Sequence, residues 1–212
     1  MNKRAIIFLN GDYAQTEPLV PLTQENFLVI GVDGGARHLV DFGLNPQLII
    51  GDMDSIPQPD FDRFKSENVQ MLKFPRQKNE TDFQLALDQA IQADCREALV
   101  FGALGGRSDH LIANLLLPLQ YLDKVKTSLF HGSEEITYIN NHSTIHGAPG
   151  DILSLIPISN DASGVTTTGL LYPLNFETLH IGSPRGVSNE LITNKVKVSV
   201  TSGVLLCVHT HQ

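Results

Sequence analysis

The sequence predicts two domains of different class: an α/β domain with a parallel sheet covered by helices over residues 1–131, and an all-β sandwich over residues 132–212. In the first part, short apolar runs alternate with helical patterns, which is typical of a parallel sheet covered on both faces. In the second part, short apolar runs follow one another between Gly, Pro and Asn turns with no helical pattern, which favours an all-β fold.

The strands of the first domain are predicted from its apolar runs. Each run is short and rich in Ile, Leu, Val or Phe, as buried strands of a parallel sheet are. In chain order the runs are RAIIFLN (4–10), NFLVIGVD (26–33), QLIIGD (47–52), EALVFGA (97–103) and KVKTSLF (124–130).

Two helices are predicted in the same domain. The first begins at a capping box formed by Thr81 and Gln84, and its apolar face follows the helical period with Phe83, Ala86, Leu87, Ala90 and Ile91. The second begins near Ser108 and is kinked or ended by Pro118. Its apolar positions are Leu111, Ile112, Leu115 and Leu116.

The strands of the second domain are predicted from runs bounded by turn residues. Val196, Val198 and Val200 alternate with polar residues, which is the period of a half-buried strand. The runs are HGSEEITYIN (131–140), GDILSLIPIS (150–159), SGVTTTGLLYPL (163–174), ETLHIG (177–182), NKVKVSV (194–200) and GVLLCVHT (203–210).

The composition excludes several classes of protein. A formal net charge of −8 argues against a nucleic-acid-binding protein, which would show a basic face. No run approaches the length of a membrane span. Two cysteines cannot staple a chain of 212 residues, so a reducing compartment fits best. We therefore expect a soluble, cytoplasmic protein.

Polar residues cluster where the predicted parallel strands end. The first strand runs into Gly11 and Asp12, the second into Asp33, Gly34 and Gly35, the third into Asp52 and Asp54, and the fourth into Gly105, Gly106 and Arg107. Ligands of open parallel sheets bind at the carboxyl ends of the strands. These residues therefore predict one pocket.

The spacing of Asp52 and Asp54 predicts a magnesium site. Residues two apart on an extended chain point to the same side, so both carboxylates can hold one ion. Asp82, at the start of the first helix, completes the predicted site, with Asp33 close by. Taken alone, the motif is more often a solvated turn. The convergence of separate strand ends favours the metal site.

Basic residues near the same strand ends predict a phosphate ligand. Arg107 precedes the second helix and Lys78 precedes the first, and a helix N-terminus beside a guanidinium is a good phosphate site. The sequence has neither a P-loop nor a dinucleotide-binding glycine motif. A nucleoside triphosphate bridged to the aspartates by Mg²⁺ is the best candidate ligand.

Five motifs together resemble the thiamine pyrophosphokinase family, in its bacterial form. They occur in family order, as DGGARHL (33–39), GDMDS (51–55), NETDFQLAL (79–87), GALGGRSDHLIANL (102–115) and GSPRGVSNE (182–190). The resemblance implies an α/β catalytic domain, a β-sandwich that helps to bind thiamine, and a homodimer. It places each active site between the catalytic domain of one subunit and the β-domain of the other.

The resemblance also implies roles for individual residues. Mg²⁺ is implied at Asp52, Asp54 and Asp82, and thiamine at Asp109, Ser188 and Asn189. ATP is implied at Asp33, Gly34, Gly35, Ser55, Lys78, Thr81 and Arg107. The catalytic set is Asp52, Asp54, Asp82, Arg107 and Asp109.

This sequence departs from the family pattern at two places. Asn79 stands where many relatives have aspartate, and the chain has no Trp to stack on thiamine, so Leu206 or Cys207 is expected in that region.

The implied reaction is attack of the thiamine hydroxyl on the β-phosphorus of ATP, which gives thiamine diphosphate and AMP. Asp82 and Asp109 are both candidates for the base that accepts the hydroxyl proton. Two alternatives stay open. One is a phosphatase of the haloacid-dehalogenase type, with Asp52 as nucleophile and Asp54 as acid/base. The other is a non-catalytic protein that binds nucleotide or thiamine.

A further pattern lies outside this family motif set. His209 and His211 alternate in the last predicted strand, as two ligands of a metal ion would, but no third ligand is evident near them.

Overall fold

A computed structural model of the protein describes residues 3–12, 27–75 and 77–212. The chain divides into two compact units, Met1–Gly132 and Ser133–Gln212. Asn26, in the second predicted strand, lies outside the described residues. Within the described part of the chain, no helix is both long enough and apolar enough to cross a membrane.

The first unit contains a parallel sheet, as predicted. Its strands lie in the order β6-β5-β1-β2-β3-β4, and every pair is parallel. The strands are β1 (Lys3–Phe8), β2 (Phe27–Val32), β3 (Leu48–Gly51), β4 (Gln70–Lys73), β5 (Cys95–Phe101) and β6 (Lys126–His131). The edge strand β4 was not predicted, because it has no buried residue and no apolar run.

The first unit has four α-helices among its described residues, and two of them were predicted. They are α1 (Ala36–Asp41), α2 (Gln58–Ser66), α3 (Asp82–Gln92) and α4 (Ser108–Leu116). Thr81 is confirmed as the N-cap of α3, since its hydroxyl accepts a hydrogen bond from the Gln84 N–H at 3.1 Å. The apolar face of α3 buries Phe83, Ala86, Leu87 and Ala90.

Helix α4 has the predicted position but an unexpected environment. None of its residues is buried, and Ile112 and Leu116 are 55% and 42% exposed. At Leu117 the helix continues as a 3₁₀ turn that contains Pro118. The apolar face of α4 therefore has no covering layer within the described residues of the first unit.

The aromatic core of the first unit fixes the central strands. The Phe101 ring lies 5.0 Å from the Phe8 ring and 5.1 Å from the Phe130 ring, both stacked. These residues belong to β1, β5 and β6, and all are buried. Burial of each such side chain contributes about 1.5–3 kcal/mol to the stability of the fold. This core therefore keeps β1, β5 and β6 in register with one another.

The second unit is an all-β sandwich, as predicted. Its two antiparallel layers have the orders β12-β9-β14-β7 and β11-β10-β13-β8. The strands are β7 (Glu134–Ile139), β8 (His142–His146), β9 (Ile152–Pro157), β10 (Ala162–Thr168), β11 (Glu177–Leu179), β12 (Asn189–Glu190), β13 (Lys195–Ser199) and β14 (Leu205–Thr210). Both layers contribute to one core, with Leu153 and Leu205 from one and Val165 and Val196 from the other.

Candidate active site

A cleft of about 640 Å³ opens at the carboxyl ends of the central strands of the first unit. Asn10 and Gly11 follow β1, Asp33 follows β2, and Gly102 follows β5. The chain builds β2, β3 and β4 outward from one side of β1 and then places β5 on its other side. Such a reversal of strand order is where open α/β sheets bind ligands.

Two helix N-termini face this cleft. Thr81, Asp82 and Phe83 begin α3, and Arg107 and Asp109 flank the first turn of α4. The N–H groups at a helix N-terminus carry partial positive charge and have no partner within the helix. The cleft therefore combines two anion-attracting helix ends with several carboxylates, a combination that suits a phosphate ligand bridged by a cation.

The carboxylates of Asp33, Asp52 and Asp82 lie close enough to perturb one another. Burial, together with the negative charges of Asp82 and Asp52, raises the pKa of Asp33 to about 6. The Met53 N–H, which donates to Asp33 Oδ1 at 3.3 Å, opposes the rise. Because ionisation of these neighbouring carboxylates is unfavourable, a bound cation would stabilise their ionised form.

Asp82 is a partly buried carboxylate beside Asp33, and Lys78 Nζ lies 2.8 Å from its Oδ1 atom. The oxygen-only donor set around it is the one that Mg²⁺ prefers, so the residues present fit the expected metal.

The backbone between Asp52 and Asp54 differs from the expectation. We predicted an extended chain that points both carboxylates to one side. Instead, Met53 has a left-handed φ of 67°, and the Asp54 N–H donates to Asp52 Oδ1 at 3.2 Å. The segment is thus an Asx-type turn, in which Asp52 is half-buried and Asp54 is exposed.

Ser55, Gly34 and Gly35 support the loop that carries Asp33. The Ser55 hydroxyl accepts a hydrogen bond from the Gly34 N–H at 2.8 Å. Both glycines are buried in the 3₁₀ turn that follows β2. Their contacts link the loop after β3 to the loop after β2.

Arg107 and Asp109 form a two-pronged ion pair at the mouth of the cleft. Arg107 Nε lies 3.1 Å from Asp109 Oδ1, and Nη2 lies 2.7 Å from Oδ2. The pair is 74% and 64% exposed. The hydrogen bonds and charge of Arg107 lower the pKa of Asp109, and Asp109 in turn raises the pKa of Arg107.

Several cleft residues were not among the predicted site residues. Asn10 and His110 line the cleft directly, and the Asn114 side chain donates to the Ala103 carbonyl at 2.8 Å. Asp12, one of the strand-end residues that predicted the pocket, accepts a hydrogen bond from the Gly106 N–H at 3.3 Å, which ties the loop after β1 to the turn before α4. Asn10 is the polar residue at the end of the first apolar run, and this position could have identified it as a residue of the cleft.

The two thiamine-site residues expected in the second unit lie in adjacent positions but differ in their contacts. Asn189 is buried, and its amide accepts from the Tyr172 and Glu190 N–H groups and donates to the Tyr172 carbonyl at 2.7 Å. Ser188 has a left-handed φ of 57°, and its N–H donates to the Ser154 hydroxyl at 3.0 Å. Asn189 thus holds the loop that presents Ser188.

Leu206 and Cys207, which were expected in the thiamine region because the chain has no Trp, are both buried. Cys207 packs in the core between the two layers of the sandwich and is 1% exposed. Leu206 alternates with it on β14 and is also buried. Strand alternation places these two neighbouring side chains on opposite faces of β14.

Two family models match the chain. One, described as thiamin pyrophosphokinase, catalytic domain, matches residues 20–130. The other, described as thiamin pyrophosphokinase, vitamin B1 binding domain, matches residues 139–205.

The chain is similar to curated and solved proteins along almost its whole length. It is 34% identical to a thiamine pyrophosphokinase from Bacillus subtilis over 204 residues, which cover 91% of each chain. A crystal structure of thiamine pyrophosphokinase from Bacillus subtilis matches with a TM-score of 0.89 at 30% identity, covering 99% of this chain and 100% of that chain. A thiamin pyrophosphokinase structure from Geobacillus thermodenitrificans matches with a TM-score of 0.82 at 28% identity, covering 99% and 97%.

Proposed function

The chain belongs to the thiamine pyrophosphokinase family, and from that premise we propose which of its residues carry the reaction. The protein transfers a pyrophosphoryl group to the hydroxyl of thiamine and so makes thiamine diphosphate. We propose ATP as the donor and AMP as the second product. The phosphatase and the non-catalytic alternatives are not favoured, because the matched family models and these relatives are named pyrophosphokinases.

The observation that carries this assignment is the cleft at the reversal of strand order. Asp33 and Asp82 lie in its wall together with Arg107 and the N-termini of α3 and α4. We assign the triphosphate to this cleft, with its negative charge facing Arg107 and the two helix ends. Thr81 and Lys78 flank it at the start of α3, and Gly34, Gly35 and Ser55 hold the loop of Asp33 in place.

Mg²⁺ is the metal we propose for Asp52, Asp54 and Asp82, with Asp33 beside them. When bound, it would offset negative charge on the phosphates during transfer. Lys78 neutralises part of the same carboxylate group through its 2.8 Å contact with Asp82. Asp54 lies on the exposed side of the turn that carries Asp52.

The chemical step needs a base and a stabiliser of developing charge. The thiamine oxygen forms a bond to the β-phosphorus, the bond from that phosphorus to the bridging oxygen of AMP breaks, and the hydroxyl proton passes to a carboxylate. Of the two candidates, we propose Asp109. When Arg107 turns from Asp109 to a phosphate, the largest cause of the low Asp109 pKa is removed and the carboxylate becomes a stronger base.

We further propose a homodimer with active sites between unlike units of the two subunits, as the family resemblance implies. Exposed apolar side chains on both units support it, namely Ile112 and Leu116 on α4 and Tyr172, Phe176 and Ile181 in the sandwich. Ser188, on the loop that Asn189 holds, would then reach thiamine from the second unit. A cytoplasmic location is proposed on the same footing, since both cysteines are buried free thiols, which is typical of reducing compartments.

The decisive experiment is a product assay with ATP, Mg²⁺ and thiamine that separates AMP, ADP and inorganic phosphate. We expect AMP and thiamine diphosphate in equal amounts. Asp52→Asn should abolish turnover, whereas Asp41→Asn, at the exposed end of α1, should not. ADP or phosphate released without thiamine would instead support a phosphatase. ATP binding without any product would support a non-catalytic protein.

A further inference from the structure

A second cluster of possible metal ligands lies in the sandwich unit. Glu135, His209 and His211 each place one ligand atom within 4.8 Å of the others. Glu135 on β7 is the direct cross-strand partner of His209 on β14. His211 follows His209 on the same side, and their ring centroids are 4.0 Å apart. Strand pairing thus supplies the third ligand that the sequence pattern lacked.

A buried aspartate orients the central histidine of this cluster. Asp151 Oδ2 lies 2.9 Å from His209 Nε2, and the two side chains are only 4% and 3% exposed. The same Asp151 oxygen accepts from the Ala148 N–H at 2.9 Å, and Oδ1 accepts from the Gln212 N–H at 3.1 Å. Histidine ligands of metals usually donate their second ring N–H to a carboxylate, which fixes the tautomer and frees the other nitrogen.

The cluster is buried on the side of His209 and partly exposed on the side of Glu135 and His211. At Gly147 even a Cβ would lie 2.8 Å from His209 Nε2 and 2.6 Å from Asp151 Oδ2, so the backbone covers this pair. Glu135 and His211 are partly exposed. In a tetrahedral site, zinc bonds of about 2.0–2.2 Å place the donors about 3.3–3.6 Å apart, so metal binding requires these two partly exposed side chains to rotate towards His209.

The donors select a different class of metal from that of the catalytic cleft. Two imidazoles and one carboxylate suit Zn²⁺ and related transition metals, whereas Mg²⁺ prefers oxygen ligands.

We propose that Glu135, His209 and His211 form a binding site for a transition-metal dication of the Zn²⁺ type, with Asp151 as the residue that positions His209. Bound metal would link β7, β14 and the segment before β9 within the sandwich. The proposal is independent of the pyrophosphoryl transfer, because it uses no residue of the catalytic cleft.

The test is a Zn²⁺ titration of the chelator-treated full chain against a chromophoric competitor. Excess Mg²⁺ is present, so that the cleft carboxylates are occupied. We expect one Zn²⁺ per chain. His211→Ala and Glu135→Gln should each weaken binding at least about tenfold, and Asp151→Asn by about 10–100-fold. His142→Ala, an exposed histidine of the same unit, is the matched control and should bind as the wild type does.

A measurement on the wild type keeps the test independent of variant folding. With ¹⁵N-labelled histidine, Zn²⁺ should move the ring-nitrogen resonances of His209 and His211 among the eight histidines of the chain. No Zn²⁺ uptake by the wild type, equal uptake by the ligand variants, or ring shifts confined to other histidines would each overturn the proposal.

Discussion

Gly51 and Asp33 approach so closely that a Cβ on Gly51 would lie 1.6 Å from Asp33 Oδ1. Gly51 also has a φ of 140°, a conformation that residues with a side chain rarely adopt. The last residue of β3 thus has to be glycine for the carboxylate after β2 to keep its place. The backbone of Gly51 and the carboxylate of Asp33 are thus fitted to each other across two neighbouring strands.

Gly51→Ala should therefore displace Asp33 and lower turnover at least about 100-fold, since displacements near 1 Å have that effect. Steady-state formation of AMP measures it. Gly43→Ala is the matched control, because Gly43 has a φ of 62° and an added Cβ there would have nothing within 4 Å. It should lose only about 1–2 kcal/mol of stability and keep full activity. Equal activity losses in both variants would contradict this account.

Asp82→Asn should reduce turnover about 10²–10³-fold, because it removes the charge of a carboxylate that we propose as a metal ligand. Folding should be preserved, since the like-charge repulsion with Asp33 is also removed. Asp60→Asn, another first-turn aspartate on helix α2, serves as the control and should leave turnover unchanged. Turnover by Asp82→Asn at the rate of the control would exclude Asp82 from the reaction.

Stabilisation by Mg²⁺ should depend on pH. The folded protein raises the pKa of Asp33 from 3.8 to about 6. This group therefore favours folding fully below about pH 3.8, and its contribution is lost as the pH rises through 6. Mg²⁺ binds the ionised carboxylates, so its effect on Tm should be larger near pH 7.5 than near pH 5.

Calorimetry at both pH values, with and without Mg²⁺, measures this effect. Asp33→Asn provides the reference, because without the titrating group the difference between the two pH values should shrink. A Tm increase of the same size at both pH values in the wild type would show that Asp33 does not belong to the metal site.

Arg107→Lys should lower kcat/KM by about 100-fold without a change in Tm. Lys keeps the charge but cannot present two parallel N–H groups to a phosphate, and the exposed pair with Asp109 adds little to stability. Arg4→Lys is the control, since Arg4 forms a comparable surface pair with Glu97 at 2.9 Å. A Tm loss in Arg107→Lys without a kinetic loss would assign this arginine to stability alone.

Substitution of Ser188 should impair thiamine binding, whereas substitution of Asn189 should lower the stability of the protein. Asn189→Ala leaves the N–H and carbonyl of Tyr172 without their partners, so it should cost about 1–3 kcal/mol of stability. Ser188→Ala keeps the N–H bond to Ser154 and should raise the KM for thiamine with little change in Tm. Thermal melts and thiamine titrations on both variants distinguish the two effects. An unchanged KM in Ser188→Ala would remove Ser188 from the thiamine site.

The sequence was informative where burial and period dominate. The apolar runs located β1, β2, β3, β5 and β6, and the capping box located the start of α3. Strand β4 and helix α2 escaped because exposed edges and surface helices carry no continuous apolar signal. The five motifs identified the family, although composition and periodicity alone left three functions open.

Local backbone and long-range pairing decided what the sequence did not reveal. The left-handed backbone at Met53 could not be predicted from the sequence, because the position is not a glycine. The pair between Arg107 and Asp109 depends on rotamers that spacing does not specify. Glu135 meets His209 only through the register of β7 and β14, and Cys207 is buried because of the face that this register gives it.

The position of β5 beside β1 also bears on how the polypeptide reaches its native state. In the sheet, Arg4 of β1 lies opposite Glu97 of β5, a strand that comes much later in the chain. The other pairs among β1, β2, β3 and β4 join strands that follow one another in the chain. During synthesis, one edge of β1 stays open until β5 has left the ribosome, and such open edges promote aggregation. Closing so long a loop is slow. The residues after β1 and β5 therefore meet late, and no shorter nascent chain carries the complete cleft.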